Sequence, residues 1–198
     1  MGLKLDTKSG DTHLTPDELD KLIPQHITTR RELDELEQNN IEDAVEWILR
    51  TRILNAEKIF SREFQNSLHK KMFNKVWRWA GTIRSLETNL GVRPFEIEIQ
   101  SNMLNDDAQF WFKNKTFSPL ELALRFHHRL VFIHCYPNGN GRHARLMADI
   151  ILEKLFQLNP ISWKGENYID ENIEREFYIK ALKQADLGDV SWLFNCIK

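Results

Sequence analysis

The sequence has little of what would mark a secreted, membrane-embedded or nucleic-acid-binding protein. Among 198 residues there are two cysteines, Cys135 and Cys196, too few and too far apart for a disulfide framework or a Cys/His finger. Reduced thiols in a cytosolic protein account for them. Residues 1–15 are polar, with no signal-peptide core. No apolar run reaches the roughly 18 residues that a spanning helix needs. A soluble, cytoplasmic protein without a membrane partner is expected. A basic excess is also lacking, with 27 Lys and Arg against 29 Asp and Glu. That balance argues against a nucleic-acid partner, whereas a small anion needs only a local positive site. Internal repeats, low-complexity stretches and a Gly/Ser-rich linker are absent. The 41% hydrophobic content suits one compact domain with a small accessory segment.

What is present is mostly helical periodicity. Thr15-Pro16-Asp17-Glu18 has a cap, proline at the first helical position and acids in the first turn, and Pro24 limits that helix. Thr29 followed by Glu32 is a capping-box pattern. From Asn40 to His69, apolar residues recur at helical spacing, with a break expected between Leu54 and Arg62. Met72, Phe73, Val76, Trp77 and Trp79 form an aromatic core stripe on a helix that Gly81 would end. Residues 82–95 are sparse in apolar residues and rich in turn signals, and predict a small β-hairpin flap able to pair with a peptide strand. Helices are predicted over 97–112, with Ile99, Met103, Leu104, Ala108 and Phe112 facing the core, then from Ser118 to His134, and from Arg142 to about Phe156. A further helix passes through Phe177 and Ala181, before a turn at Leu187-Gly188-Asp189. The fold class is all-α with one β-flap, divided into an arm over 1–39 and a helical domain over 40–198.

The chemistry concentrates at His134-Cys135-Tyr136-Pro137-Asn138-Gly139-Asn140-Gly141-Arg142-His143-Ala144-Arg145. An apolar helix ends at a histidine, and a glycine loop opens the next helix. The first N–H groups of a helix lack internal acceptors and its dipole favours an anion there. Gly139 and Gly141 allow a ligand close to the backbone, so the loop can cradle phosphate, although no Walker or dinucleotide pattern is present. Gly-Asn-Gly alone is equally a plain turn. Arg142 and Arg145 share a helix face in the first turn, where cations are disfavoured unless an anion or a carboxylate lies between them. Guanidinium groups bind phosphate through two hydrogen bonds, and a structural salt bridge is the competing role. His134 is either a cap for its helix or a general base at the lip of the anion site. A zinc site using His127, His128 and His134 is disfavoured, because no metal spacing is matched.

This stretch resembles the signature of the Fic family, His-x-Phe-x-(Asp/Glu)-Gly-Asn-Gly-Arg-x-x-Arg. His134, Gly139, Asn140, Gly141, Arg142 and Arg145 match it; Tyr136 replaces the usual phenylalanine and Asn138 the usual acid. The likeness extends to residues 81–95 and to Ala181–Asp189, and is expected to cover 40–198. The N-terminal arm and residues 32–41 are similar to the subgroup called mobile mystery protein B. The resemblance implies a Fic-type helical bundle and a bacterial transferase moving AMP from ATP to a Ser, Thr or Tyr hydroxyl of a protein. In that reading His134 takes the hydroxyl proton. The loop Asn138, Gly139, Asn140, Gly141 holds phosphates, Arg142 clamps the β-phosphate and aids catalysis, and Arg145 binds the γ-phosphate. Mg²⁺ bridges phosphate oxygens near Asn138, whose neutral amide holds a cation less strongly than the usual acid. The target docks along the 82–95 flap. Transfer of another phosphate-containing group, or nucleotide binding without transfer, are the alternatives.

Many Fic proteins carry an inhibitory helix bearing Ser/Thr-x-x-x-Glu-Gly/Asn. Glu37 fits this imperfectly, with Leu33 four residues before it and Gln38 after it. The resemblance implies that Glu37 reaches Arg145 and restrains the enzyme; a surface acid is the plain alternative. Pairing of two copies through the N-terminal helices stays open.

Overall fold

The computed structural model describes residues 16–51, 54–163 and 172–197. The expected loose arm over 1–15 lies outside them. Nine α-helices run in order among the described residues: α1 Pro16–Leu19, α2 Arg30–Arg50, α3 Ala56–Ile59, α4 Arg62–Phe73, α5 Ile97–Asn114, α6 Pro119–Ile133, α7 Asn140–Phe156, α8 Asn172–Asp186 and α9 Ser191–Phe194. The all-α class holds. No strand forms among the described residues, only isolated antiparallel bridges at Leu22–Trp77 and Trp163–Ile197.

Local sequence explains most of the helix starts. Thr29 accepts from the Glu32 N–H, and the Glu32 carboxylate accepts from the Thr29 N–H, which is the reciprocal cap read from the sequence. Asn55, Ser61 and Ser118 each cap their helix through a side-chain oxygen. Glu121 does not complete a box with Ser118, because its carboxylate pairs with Arg125.

The core forms where α6 packs on α7, α2 on α4 and α5 on α6. Phe60, Phe126, Tyr136, Met147 and Ile151 are almost fully buried within it. α2 runs without interruption through Asn39 and Asn40, so the arm–domain boundary expected there falls inside one helix. Asn40 anchors that helix to the end of α4. Its amide nitrogen donates to the Lys71 carbonyl at 2.8 Å and its oxygen accepts from the Lys75 N–H at 2.8 Å.

Three expectations require correction. The helix holding Phe73 stops there and does not reach Gly81. Residues 76–78 are drawn out of it by the chain before α2: Ile23 N–H donates to the Val76 carbonyl and Arg78 N–H to that of Lys21. Residues 82–93 form a loop and not a hairpin, because side-chain donors have taken its carbonyls. Arg84 donates to those of Leu86 and Val92, leaving no cross-strand ladder. On α5, Ile99 and Met103 point to solvent, and the buried face is Ile97, Ser101, Leu104, Asn105 and Ala108. Polar Asn105 is admitted because Gln65 donates to it at 2.8 Å.

Candidate active site

The signature stretch is a tight connection between α6 and α7, which pack side by side. His134 is the C-terminal cap of α6, with left-handed φ 57° and ψ 61°. Glycine usually fills such a position, since a Cβ there costs about 1–2 kcal/mol. Tyr136 drops into the core beneath the loop, stacked on His69 at 3.7 Å between ring centroids, and its hydroxyl donates to Asn66 at 2.9 Å. Tyr136, where the family has phenylalanine, thus plugs the loop from beneath and adds a polar tether.

His69 was not singled out by sequence reasoning, yet it holds the loop from behind. Its Nδ1 accepts from the Gly81 N–H at 2.9 Å, so the ring proton resides on Nε2 and donates to the Asn138 carbonyl at 3.0 Å. Burial, followed by the neighbouring His143 and Arg142, holds His69 well below the usual histidine range. The ring stays neutral, which that single-donor, single-acceptor arrangement requires.

Gly139 has φ +79°, and a Cβ there would lie 2.6 Å from two carbons of the Phe73 ring. Glycine is thus required for two independent reasons. The Asn140 side chain is turned inward. Its oxygen accepts from Tyr136 N–H at 2.9 Å and its nitrogen donates to Tyr136 O at 2.8 Å. Asn140 therefore braces the loop with its side chain, while its backbone N–H belongs to the first turn of α7. That turn has no side-chain cap and no acid, unlike the starts of α2, α3, α4 and α6. The N–H groups of Asn140, Gly141 and Arg142 consequently lack acceptors within the helix.

The two arginines have different surroundings. Arg142 donates to Glu37 at 2.6 Å and lies over the Phe73 ring at 4.9 Å. Glu37 has only 3% of its surface exposed and also accepts from the Trp77 indole N–H at 2.5 Å. Glu37 is thus no surface acid, and it meets Arg142 and not Arg145 as expected. The reason is the register of α2, pinned by Asn40 against α4, which brings Glu37 over the first turn of α7. Arg145 instead lies over Tyr178 at 4.3 Å and Trp163 at 5.7 Å, and its buried Nε has no hydrogen-bond partner among the described residues. An unsatisfied buried guanidinium nitrogen beside an uncapped helix start is suited to receiving an anion.

His134 is buried, and burial pushes its imidazole down to about 4. A hydrogen bond to the Val131 backbone opposes the shift, and the charge of Arg84 assists it. The ring is therefore neutral and able to accept a proton at physiological pH. His127 and His128 are engaged elsewhere, with Tyr178 at 2.9 Å and Asp186 at 2.8 Å. No group of three or more His, Cys, Asp or Glu side chains suited to a metal comes together among the described residues.

The chemistry of these groups suits a polyphosphate: the first N–H groups of α7 lack helical acceptors, and Arg142 and Arg145 both stand in its first turns. A resident Mg²⁺ fits poorly. The Asn138 amide oxygen is neutral and already accepts from the Gly139 N–H at 2.6 Å.

Residues 59–152 match the family model described as "Fic/DOC family". Over that stretch the chain is similar to Fic/DOC proteins. It is 26% identical over 166 residues to "Protein adenylyltransferase Fic" of Nematostella vectensis, covering 78% of this chain and 36% of that protein. It is 30% identical to "Protein adenylyltransferase fic-1" of Caenorhabditis elegans over 115 residues, covering 56% of this chain and 21% of that one. The chain thus spans well under half the length of these relatives. Among solved structures, the BepC effector of Bartonella tribocorum with bound AMPPNP superimposes with TM-score 0.66 at 16% identity, covering 92% of this chain and 96% of that one. The Caenorhabditis elegans Fic-1 segment 134–508 gives 0.62 at 24% identity, covering 90% and 50%. These likenesses carry the fold of the Fic domain.

Proposed function

We propose that this Fic domain is a protein adenylyltransferase that moves AMP from ATP to a Ser, Thr or Tyr hydroxyl and is restrained by its own Glu37. The observation that carries the reading is the uncapped start of α7, flanked by Arg142 and Arg145 and preceded by a neutral His134. The adenylyltransferase names of the curated relatives support the choice of nucleotide.

The reaction follows from these groups. The target oxygen bonds to the α-phosphorus, the bond from that phosphorus to the β-bridging oxygen breaks, and pyrophosphate leaves. The hydroxyl proton passes to His134, whose depressed affinity for protons keeps it available as a base. The N–H groups at residues 140–142 hold phosphate oxygens, and the arginines stabilise the charge that moves onto pyrophosphate. Arg142 serves the β-phosphate and Arg145 the γ-phosphate. Mg²⁺ accompanies ATP as its counter-ion, bound by phosphates and water, since the loop supplies only the amide of Asn138. The target segment docks along loop 82–95, and the site works in a bacterial cytoplasm.

Restraint arises because Arg142 cannot serve Glu37 and phosphate together. Intact-mass measurement of Glu37→Gly protein incubated with ATP and Mg²⁺ should reveal a species heavier by one AMP, at a rate above that of the unaltered protein. Equal rates refute the restraint, and a phosphate-sized increment refutes the transferred group.

A further inference from the structure

The most fully used side chain beside His134 is Arg84, which lies outside the signature. Only 4% of its surface is exposed. Its Nε donates to the His134 carbonyl at 2.6 Å, and Nη1 to the Leu86 carbonyl at 3.0 Å. Nη2 donates to the Val92 carbonyl, and the Arg84 backbone N–H to that of Cys135 at 3.0 Å. One planar group thus ties both ends of loop 86–92 to the end of α6. Beside the guanidinium, Gly91 (φ +93°) approaches so closely that a Cβ there would lie 2.3 Å from the His134 Cβ and 2.9 Å from the Arg84 Nη2.

We propose that Arg84 is the positioning residue for His134, holding its backbone in the left-handed turn and pressing loop 86–92 against its Cβ so that the imidazole leaves the chain in one fixed direction. His134 occupies a backbone region that favours glycine, so its conformation has to be imposed from outside. The carbonyl that turns outward at this cap needs a donor, and the Arg84 Nε supplies it. A lysine cannot substitute. Its ammonium is a single point at the end of a flexible stem, whereas the three carbonyls are met by a rigid fork. The inference rests on His134 being the base of the proposed transfer, where a displacement of about 1 Å costs on the order of 10²-fold in rate.

The test uses the full chain carrying Glu37→Gly, with Arg84→Lys or Arg84→Gln added. Three quantities are read: AMP transfer at saturating ATP, the dissociation constant for ATP, and the ¹³C side-chain resonance of His134, assigned through His134→Gln. The expected result is transfer lowered by about 10²-fold with unchanged ATP affinity and a displaced His134 resonance, Lys failing to rescue. Transfer at the parental rate in a folded Arg84 variant overturns the proposal. If the Glu37→Gly parent transfers no AMP, the transferase reading fails by itself, and the resonance decides: displacement in the Arg84 variants upholds the positioning, an unmoved resonance overturns it. Should neither Arg84 variant fold, Gly91→Ala, whose Cβ would meet both the His134 Cβ and the Arg84 Nη2, forces the loop off His134 and is judged by the same readings.

Discussion

Replacing Glu37 with alanine should move stability and nucleotide affinity in opposite directions. The carboxylate has one oxygen on Arg142 at 2.6 Å and the other on the Trp77 indole at 2.5 Å. Hydrogen bonds to a charged group are each worth about 1.5–3 kcal/mol when buried. The Glu37 side chain is 4% exposed, but that of Arg142 is 22% exposed, so water reaches one partner and the low end applies. A loss of about 2–3 kcal/mol in unfolding free energy is expected. ATP must break the Glu37–Arg142 contact to bind, so removing it should tighten ATP by the part of that energy held in the ion pair. About 1.5–2 kcal/mol corresponds to roughly 10- to 30-fold in dissociation constant. Calorimetric titration with ATP and thermal unfolding on the same preparations read the two quantities. Alanine keeps α2 helical where glycine adds a backbone cost, and Glu37→Gln should give an intermediate change. An unfolding midpoint that falls while ATP affinity stays constant would show Glu37 to be purely structural and refute the competition.

Other outcomes follow from single sites. Gly139→Ala meets the Phe73 ring at 2.6 Å with φ +79°, and should lower unfolding free energy by about 2–4 kcal/mol in urea titration. Asn40→Ala removes the bonds to Lys71 and Lys75, and should cost about 1–3 kcal/mol while raising the transfer rate by loosening the register of Glu37. Burial lowers His134 to about 4 and His143 to about 3, and His69 and His127 in the same direction. Protons then bind the unfolded chain first, so the stability these rings contribute is full above the ordinary value near 6.5 and drains as pH falls toward 4 and below. A melting temperature that holds constant from pH 7 to pH 4 would contradict this.

How much was legible in the sequence depended on whether the controlling interactions were local. The helix caps at Thr29 and Ser118 depend on residues a few positions apart, and the left-handed turn at 139 on the glycine itself. The family signature made the site recognisable as a unit. Glu37 was found as a candidate, but its partner was misassigned, because 105 residues separate it from Arg142 and only the α2–α4 packing sets the register. Arg84 and His69 were missed. An arginine in a polar loop reads as a solvated residue, and its burial is visible only once three carbonyls converge on it. The helix over 74–81 was over-extended because its aromatic spacing is helical, while the hydrogen bonds that draw it out come from residues 21–23. Ile99 and Met103 keep helical periodicity, but Ser101 and Asn105 occupy the buried face through partners on Cys135 and Gln65.

The central claim is that His134 is the base of an AMP transfer made at the start of α7. Its most direct test is transfer from ATP labelled at the α-phosphate, comparing Glu37→Gly protein with the same protein carrying His134→Ala. The account predicts labelled protein from the first and none from the second, with ATP bound equally by both. Label on the His134→Ala protein at the parental rate would contradict it.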